Sequence, residues 1–111
     1  PSIYASADAM LIISWLDSCP NTVVEALACG IPVMCSHNGG TPELIKGNGV
    51  ILQLEEDYNY GDKVSLYSPD KVDGDVVVSG ILKVLEIPKG FERFDLDIDS
   101  VTSKYESIFT V

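Results

Sequence analysis

No stretch of this 111-residue chain approaches the roughly 20 apolar residues of a membrane span, so no transmembrane segment is predicted. No basic start followed by an apolar run marks a secretory signal. Cations are scarce: Lys and Arg number 7 against 17 Asp and Glu, for a net charge of −10. Nucleic-acid binding relies on Lys and Arg facing phosphates, and adsorption to anionic lipid needs the same sign of charge, so both are disfavoured. Cysteine is sparse and odd in number. Cys19, Cys29 and Cys35 lie in loop or apolar settings without a Cys-x-x-Cys pair, which reads as reduced thiols of a cytoplasmic protein. There is no internal repeat and no low-complexity segment.

The length suits one domain with one core. Four acids face one base in residues 1–54, and thirteen face six in residues 55–111. The acids of the second half are scattered without ligand spacing, so they read as a solvated exterior rather than a metal trap.

The most informative stretch runs from Ser14 to Gly40. Pro20 opens a helix, since proline's fixed φ suits the first helical position. Gly30 closes it at the left-handed cap position. Val23, Val24, Ala26, Leu27, Ala28 and Cys29 make it apolar on nearly every face, which predicts burial on more than one side. Glu25 is the anomaly. A carboxylate in an apolar setting needs hydrogen-bond donors or must be protonated, and its two oxygens can accept a paired donor such as a vicinal diol. Upstream, the N–H groups of Asn21, Thr22 and Val23 stand at the positive end of the helix dipole, an anion site. Glu25 lies roughly 7 Å further along the axis at about 1.5 Å per residue, and its side chain leans back toward the helix start. That separation suits a nucleotide with phosphates at the helix start and ribose hydroxyls at the glutamate.

The same residues carry a resemblance. Asp17 and Glu25 are separated by seven residues, followed by Ala26, Ala28, Gly30, Pro32 and Val33, then Gly39-Gly40 and Glu43; Tyr4-Ala5-Ser6-Ala7-Asp8 precedes them. The pattern resembles the C-terminal domain of retaining glycosyltransferases of the GT-B architecture, family 4 (glycosyl transferases group 1). It is dense from Tyr4 to Leu52 and weaker at Phe94–Phe109, which resembles that family's closing aromatic segment and helix. The resemblance implies that Glu25 holds the nucleotide ribose and Asp17 contacts the donor sugar. It also implies that backbone N–H groups around Ser18, Cys19, Asn21 and Thr22 meet sugar and diphosphate. Two positions depart from the family pattern. The first acid is usually Glu, whereas Asp17 is one methylene shorter. The loop is often Gly-aromatic-Gly or Gly-aromatic-Pro, whereas here it is Ser18-Cys19-Pro20. The resemblance further implies anomeric retention and no required metal or cofactor, the substrate being a nucleotide-diphosphate sugar.

In chain order, Pro1–Ala7 reads as a helix tail, and Ala9–Ser14 as a strand buried on both faces. Ile31–Ser36 is a second strand, completing a right-handed β-α-β crossover. Thr41 caps a short helix with Pro42 at its first position, and Val50–Leu54 is a third strand. Residues 55–75, polar with Tyr58, Tyr60 and Tyr67, read as a loop or insertion. Residues 76–85 have helical spacing despite Gly80, which weakens a helix by about 1 kcal/mol relative to Ala. A last helix, capped by Asp99 or Ser100, aligns Val101, Tyr105, Ile108 and Phe109.

The fold class is therefore α/β: the second half of a doubly wound, Rossmann-like parallel sheet followed by closing helices. Residues 1–54 form the βαβαβ nucleotide-sugar part, 55–75 the insertion and 76–111 the closing helices of a partial donor-binding domain. Three parallel strands make a poor sheet alone, and no Lys or Arg in residues 1–45 can grip a diphosphate. The expectation is a fragment inactive by itself, which in a longer chain meets an acceptor sugar, lipid or protein through an upstream domain.

Three further features have plain readings. Cys19 with His37 is read as incidental rather than as a nucleophile and base. Gly39-Gly40 is read as a turn before a capped helix, with close approach of a ligand as the other reading. Trp15 and Leu16 either wall the sugar or close the core. Two other functions stay open: a non-catalytic αβ binding or assembly module, and a nucleotide-sugar epimerase of the related fold, which would need acid/base groups not evident here.

Overall fold

The computed structural model describes residues 2–14, 16–54, 59, 61 and 72–110. Within them the order is α1 (Ser2–Ser6), β1 (Met10–Ile12), α2 (Asn21–Ala28), β2 (Val33–Ser36), α3 (Thr41–Leu44), β3 (Gly49–Leu52), α4 (Gly74–Leu85), a 3₁₀ turn (Phe94–Leu96) and α5 (Ile98–Phe109). Three parallel strands pair in the order β1-β2-β3, with Met10 beside Val33 and Val33 beside Gly49. This is the expected α/β class. Most of the predicted 55–75 insertion, with Tyr58, Tyr60 and Tyr67, lies outside the described residues, as does Trp15.

Helices cover both faces of the sheet. On one face Val23, Ala26 and Leu27 of α2 bury against Ile31 and Val33, flanked by Tyr4, Met10, Ile12, Leu44 and Ile45. On the other, Val84 of α4 buries against Met34 and Leu52, flanked by Val50, Val76, Val77 and Ile81. Side chains alternate across a strand, so Val33 and Met34 feed separate cores. Only β2 is buried along its length. β1 is not the doubly buried strand the apolar run predicts: Leu11 is 44% exposed on the α4 face.

The departures from expectation at helix ends have local causes. Pro20 is extended (φ −70°, ψ 125°) and stands just before α2 instead of at its first position. Gly40, not Thr41, precedes α3, and no side chain caps it. Asp97 caps α5 by accepting from the Ser100 N–H at 3.0 Å, in place of Asp99 or Ser100. Its carboxylate reaches the third residue on, the geometry a cap requires. Gly30 takes the left-handed conformation expected of it, at φ 74°. Gly80 lets α4 lie close on the sheet, since a Cβ there would collide with the Leu52 and Met34 side chains. Helix propensity is given up for contact. The aligned apolar residues of α5 do not reach a core; Tyr105, Ile108 and Phe109 are exposed.

At the N-terminal ends of the strands, Arg93 ties the closing segment to the α3–β3 turn. Its side chain is 2% exposed. It donates from Nε and Nη2 to the two Asp95 oxygens at 2.8 Å each, and from Nη1 to the Leu44 carbonyl at 2.6 Å. Lys46 Nζ adds a 3.0 Å contact to Asp95. The Arg93 hydrogen bonds, with Lys46 adding, hold the Asp95 carboxyl well below the usual carboxylate range.

Removing the charge with Asp95→Asn should cost about 1–2 kcal/mol in chemical denaturation, because the buried guanidinium keeps its Leu44 acceptor and loses its charged one. A depressed folded-state pKa adds stability that is complete above the unfolded carboxylate value of about 3.9 and lost as pH falls below it. The wild type should therefore lose stability below about pH 4 more steeply than Asp95→Asn; parallel acid profiles would contradict this. Burial pushes the Cys35 thiol up to about 11, while Cys19 and Cys29 are exposed. In the native state a maleimide should label Cys19 and Cys29 and spare Cys35.

Candidate functional site

The loops that leave the C-terminal ends of β1 and β2 converge, the place where open α/β sheets take ligands. The Gly40 N–H donates to the Asp17 carbonyl at 2.8 Å, and the Ser36 hydroxyl donates to the Ser14 carbonyl. A Cβ on Gly39 would collide with the Asp17 carbonyl, and one on Gly40 with that of Ser18. The glycine pair is thus explained by one loop lying against another, beyond the turn that its composition predicts. Gly39 also needs φ 81°.

This clasp presents the start of α2. The Val23 N–H is taken by the Pro20 carbonyl at 3.1 Å, which narrows the predicted anion donors to Asn21 and Thr22. Among the described residues, no protein acceptor meets those two N–H groups. Ser18, Cys19, Asn21 and Thr22 are exposed and Asp17 is half-buried. The Asp17 carboxylate has no hydrogen-bond partner among the described residues.

Glu25 corrects the sequence reading. It is exposed, not held in an apolar setting. α2 is eight residues long and buries one stripe, Val23, Ala26 and Leu27. Small apolar residues on the opposite side, Ala28 and Cys29, make the helix look apolar all round while facing solvent. Glu25 stands four residues after Asn21, on the same helix face. Its Oε2 accepts from the Tyr4 hydroxyl at 2.7 Å. That hydrogen bond, then partial burial and the glutamate's charge, raise the Tyr4 pKa. Tyr4 escaped the sequence reading as a site residue, because nothing in a separation of 21 residues signals the contact.

His37 is committed to the fold: its Nδ1 accepts from the Leu54 N–H and its own N–H donates to the Leu52 carbonyl, both at 3.0 Å. Leu16 is 41% exposed, so it closes no core. A groove of about 510 Å³ lies between β3 and α4, lined by Val50, Leu52, Ser79, Gly80 and Lys83. It is on the sheet face away from α2. Among the described residues no cluster of His, Cys, Asp and Glu could hold a metal ion, and no helix is long and apolar enough to cross a membrane.

A parallel sheet covered by helices on both faces, with clasped loops at its C-terminal edge, defines an α/β protein of Rossmann-like topology. The family model described as Glycosyl transferases group 1 matches residues 1–65, more than half of the chain and all of the clasp. The chain belongs to this family, and glycosyl transfer is the activity the family defines. Spore coat protein SA of Bacillus subtilis (strain 168) is 29% identical over 69 residues, covering 59% of this chain and 18% of that protein. The chain thus matches less than a fifth of that relative's length. No solved structure matches.

The clasp itself is testable. Gly40→Ala must push the β1 loop off the β2 loop, at a cost of about 1–3 kcal/mol as for other overpacking changes. Gly47→Ala, with open space around its Cβ position, carries only the strain of its positive φ. Equal melting temperatures for Gly40→Ala and the wild type would show that the clasp is not tight.

Proposed function

We propose that this chain is the donor-binding part of a retaining GT-B glycosyltransferase of family 4, taking a nucleotide-diphosphate sugar. Glu25 accepts the ribose hydroxyls, Asp17 the donor sugar, and the N–H groups of Asn21 and Thr22 the diphosphate, with the Ser18–Cys19 backbone alongside. One observation carries this reading. Two unpaired helix-start donors lie between an unpaired half-buried carboxylate and a second carboxylate on the same helix face. Donors suit the phosphates and acceptors suit the hydroxyls.

The chemistry is electrostatic. Negative charge grows on the diphosphate as the sugar leaves, and the helix start stabilises it. Residues 1–45 carry no Lys or Arg, so a cationic grip on the diphosphate, like the acceptor site, comes from elsewhere in the full-length protein. The short side chain of Asp17 leaves about one methylene more room for the sugar than a glutamate would.

Ligand-dependent melting of the full-length protein tests this. At about 100 times its Kd, the tightest of UDP, GDP and ADP should stabilise the wild type by roughly 2.7 kcal/mol. At the same concentration Glu25→Ala should retain less than about 1 kcal/mol of that gain, having lost charged hydrogen bonds to the ribose. An unchanged gain in the variant would refute the assignment of Glu25.

A further inference from the structure

We infer that Tyr4 is a positioning residue for the nucleotide site: its hydroxyl aims the Glu25 carboxylate at the ribose. This rests on the reading of Glu25 proposed above. An exposed glutamate has three side-chain torsions to fix before it can meet a diol, and that ordering opposes binding. Here one oxygen is already held, by the Tyr4 hydroxyl at 2.7 Å from Oε2. An ionised carboxylate has about four lone-pair sites. A single donor at Oε2 leaves Oε1 and the second Oε2 position for two hydroxyls.

Tyr4 is placed by packing against the core. Its ring packs on the cluster of Val23, Ala26 and Leu27, the buried stripe of the helix that carries Glu25. α1 is also tied to the segment after α4, where Lys89 Nζ donates to the Ala5 carbonyl at 3.4 Å and pairs with Asp8 at 3.8 Å. Ring and carboxylate are therefore anchored to one core, with the hydroxyl as the only link between them that Tyr4→Phe removes.

Calorimetric titration of the full-length protein separates positioning from packing. The ligands are the preferred nucleoside diphosphate and its 2′-deoxy form, which lacks one hydroxyl that Glu25 would accept. The wild type should prefer the ribose form by about tenfold. Tyr4→Phe, which keeps the ring, should cut that preference by about threefold or more, weakening the ribose form more than the deoxy form, which retains one hydroxyl for Glu25. A preference equal to the wild type's would overturn the proposal, as would equal weakening toward both ligands, which is the signature of lost packing. Glu25→Ala calibrates the experiment. If it abolishes the preference while Tyr4→Phe keeps it, only the role of Tyr4 fails. If it leaves the preference intact, the ribose reading fails and the role of Tyr4 with it.

Discussion

The site depends on one backbone contact. The Gly40 N–H meets the Asp17 carbonyl at 2.8 Å, and neither neighbouring glycine could carry a side chain without driving the two loops apart. Because the loops touch, Asp17 is held half-buried at the sheet's C-terminal edge and the α2 start projects beside it. Parallel strands bring successive loops to one edge as a matter of topology. The glycine pair turns that neighbourhood into contact.

The opposite end of the sheet has a separate anchor. Arg93 and Asp95 bind the closing segment to the α3–β3 turn through a bidentate ion pair whose guanidinium is buried and whose carboxylate is partly exposed. The constraint comes from the guanidinium, because Arg93 without Asp95 would be a buried charge lacking its charged partner. The anchor at the N-terminal edge and the proposed donor site at the C-terminal edge thus use different residues. The site can keep unpaired donors and acceptors while the fold holds elsewhere.

What could be read in the residues follows from how local each cause is. Gly30, the order of strands and helices, and the two-sided cover of β2 answer to short-range pattern and were legible. Asp17, Ser18, Cys19, Asn21 and Thr22 stand together because the β1 loop runs directly into the first turn of α2. The environment of Glu25 was not. An eight-residue helix with alanine and cysteine on its open side has the same composition as one buried all round, and only packing separates the two. In the residues alone Gly80 is a weak point in a helix; in the fold it faces the Leu52 and Met34 side chains across the interface. The Tyr4–Glu25 bond joins residues 21 apart, and no periodicity signals such a pair. Arg93, equally, reads as a surface cation beside Asp95 until folding brings the Leu44 carbonyl to it and buries the guanidinium.

Membership in the glycosyl transferases group 1 family agrees with this geometry, and the match over residues 1–65 includes every residue of the clasp. The most direct test is a structure of the full-length protein with a bound nucleoside diphosphate. The account predicts phosphate oxygens within hydrogen-bond distance of the Asn21 and Thr22 N–H groups and ribose hydroxyls on Glu25. A nucleotide seated in the β3–α4 groove, with those N–H groups and the Glu25 carboxylate untouched, would contradict it.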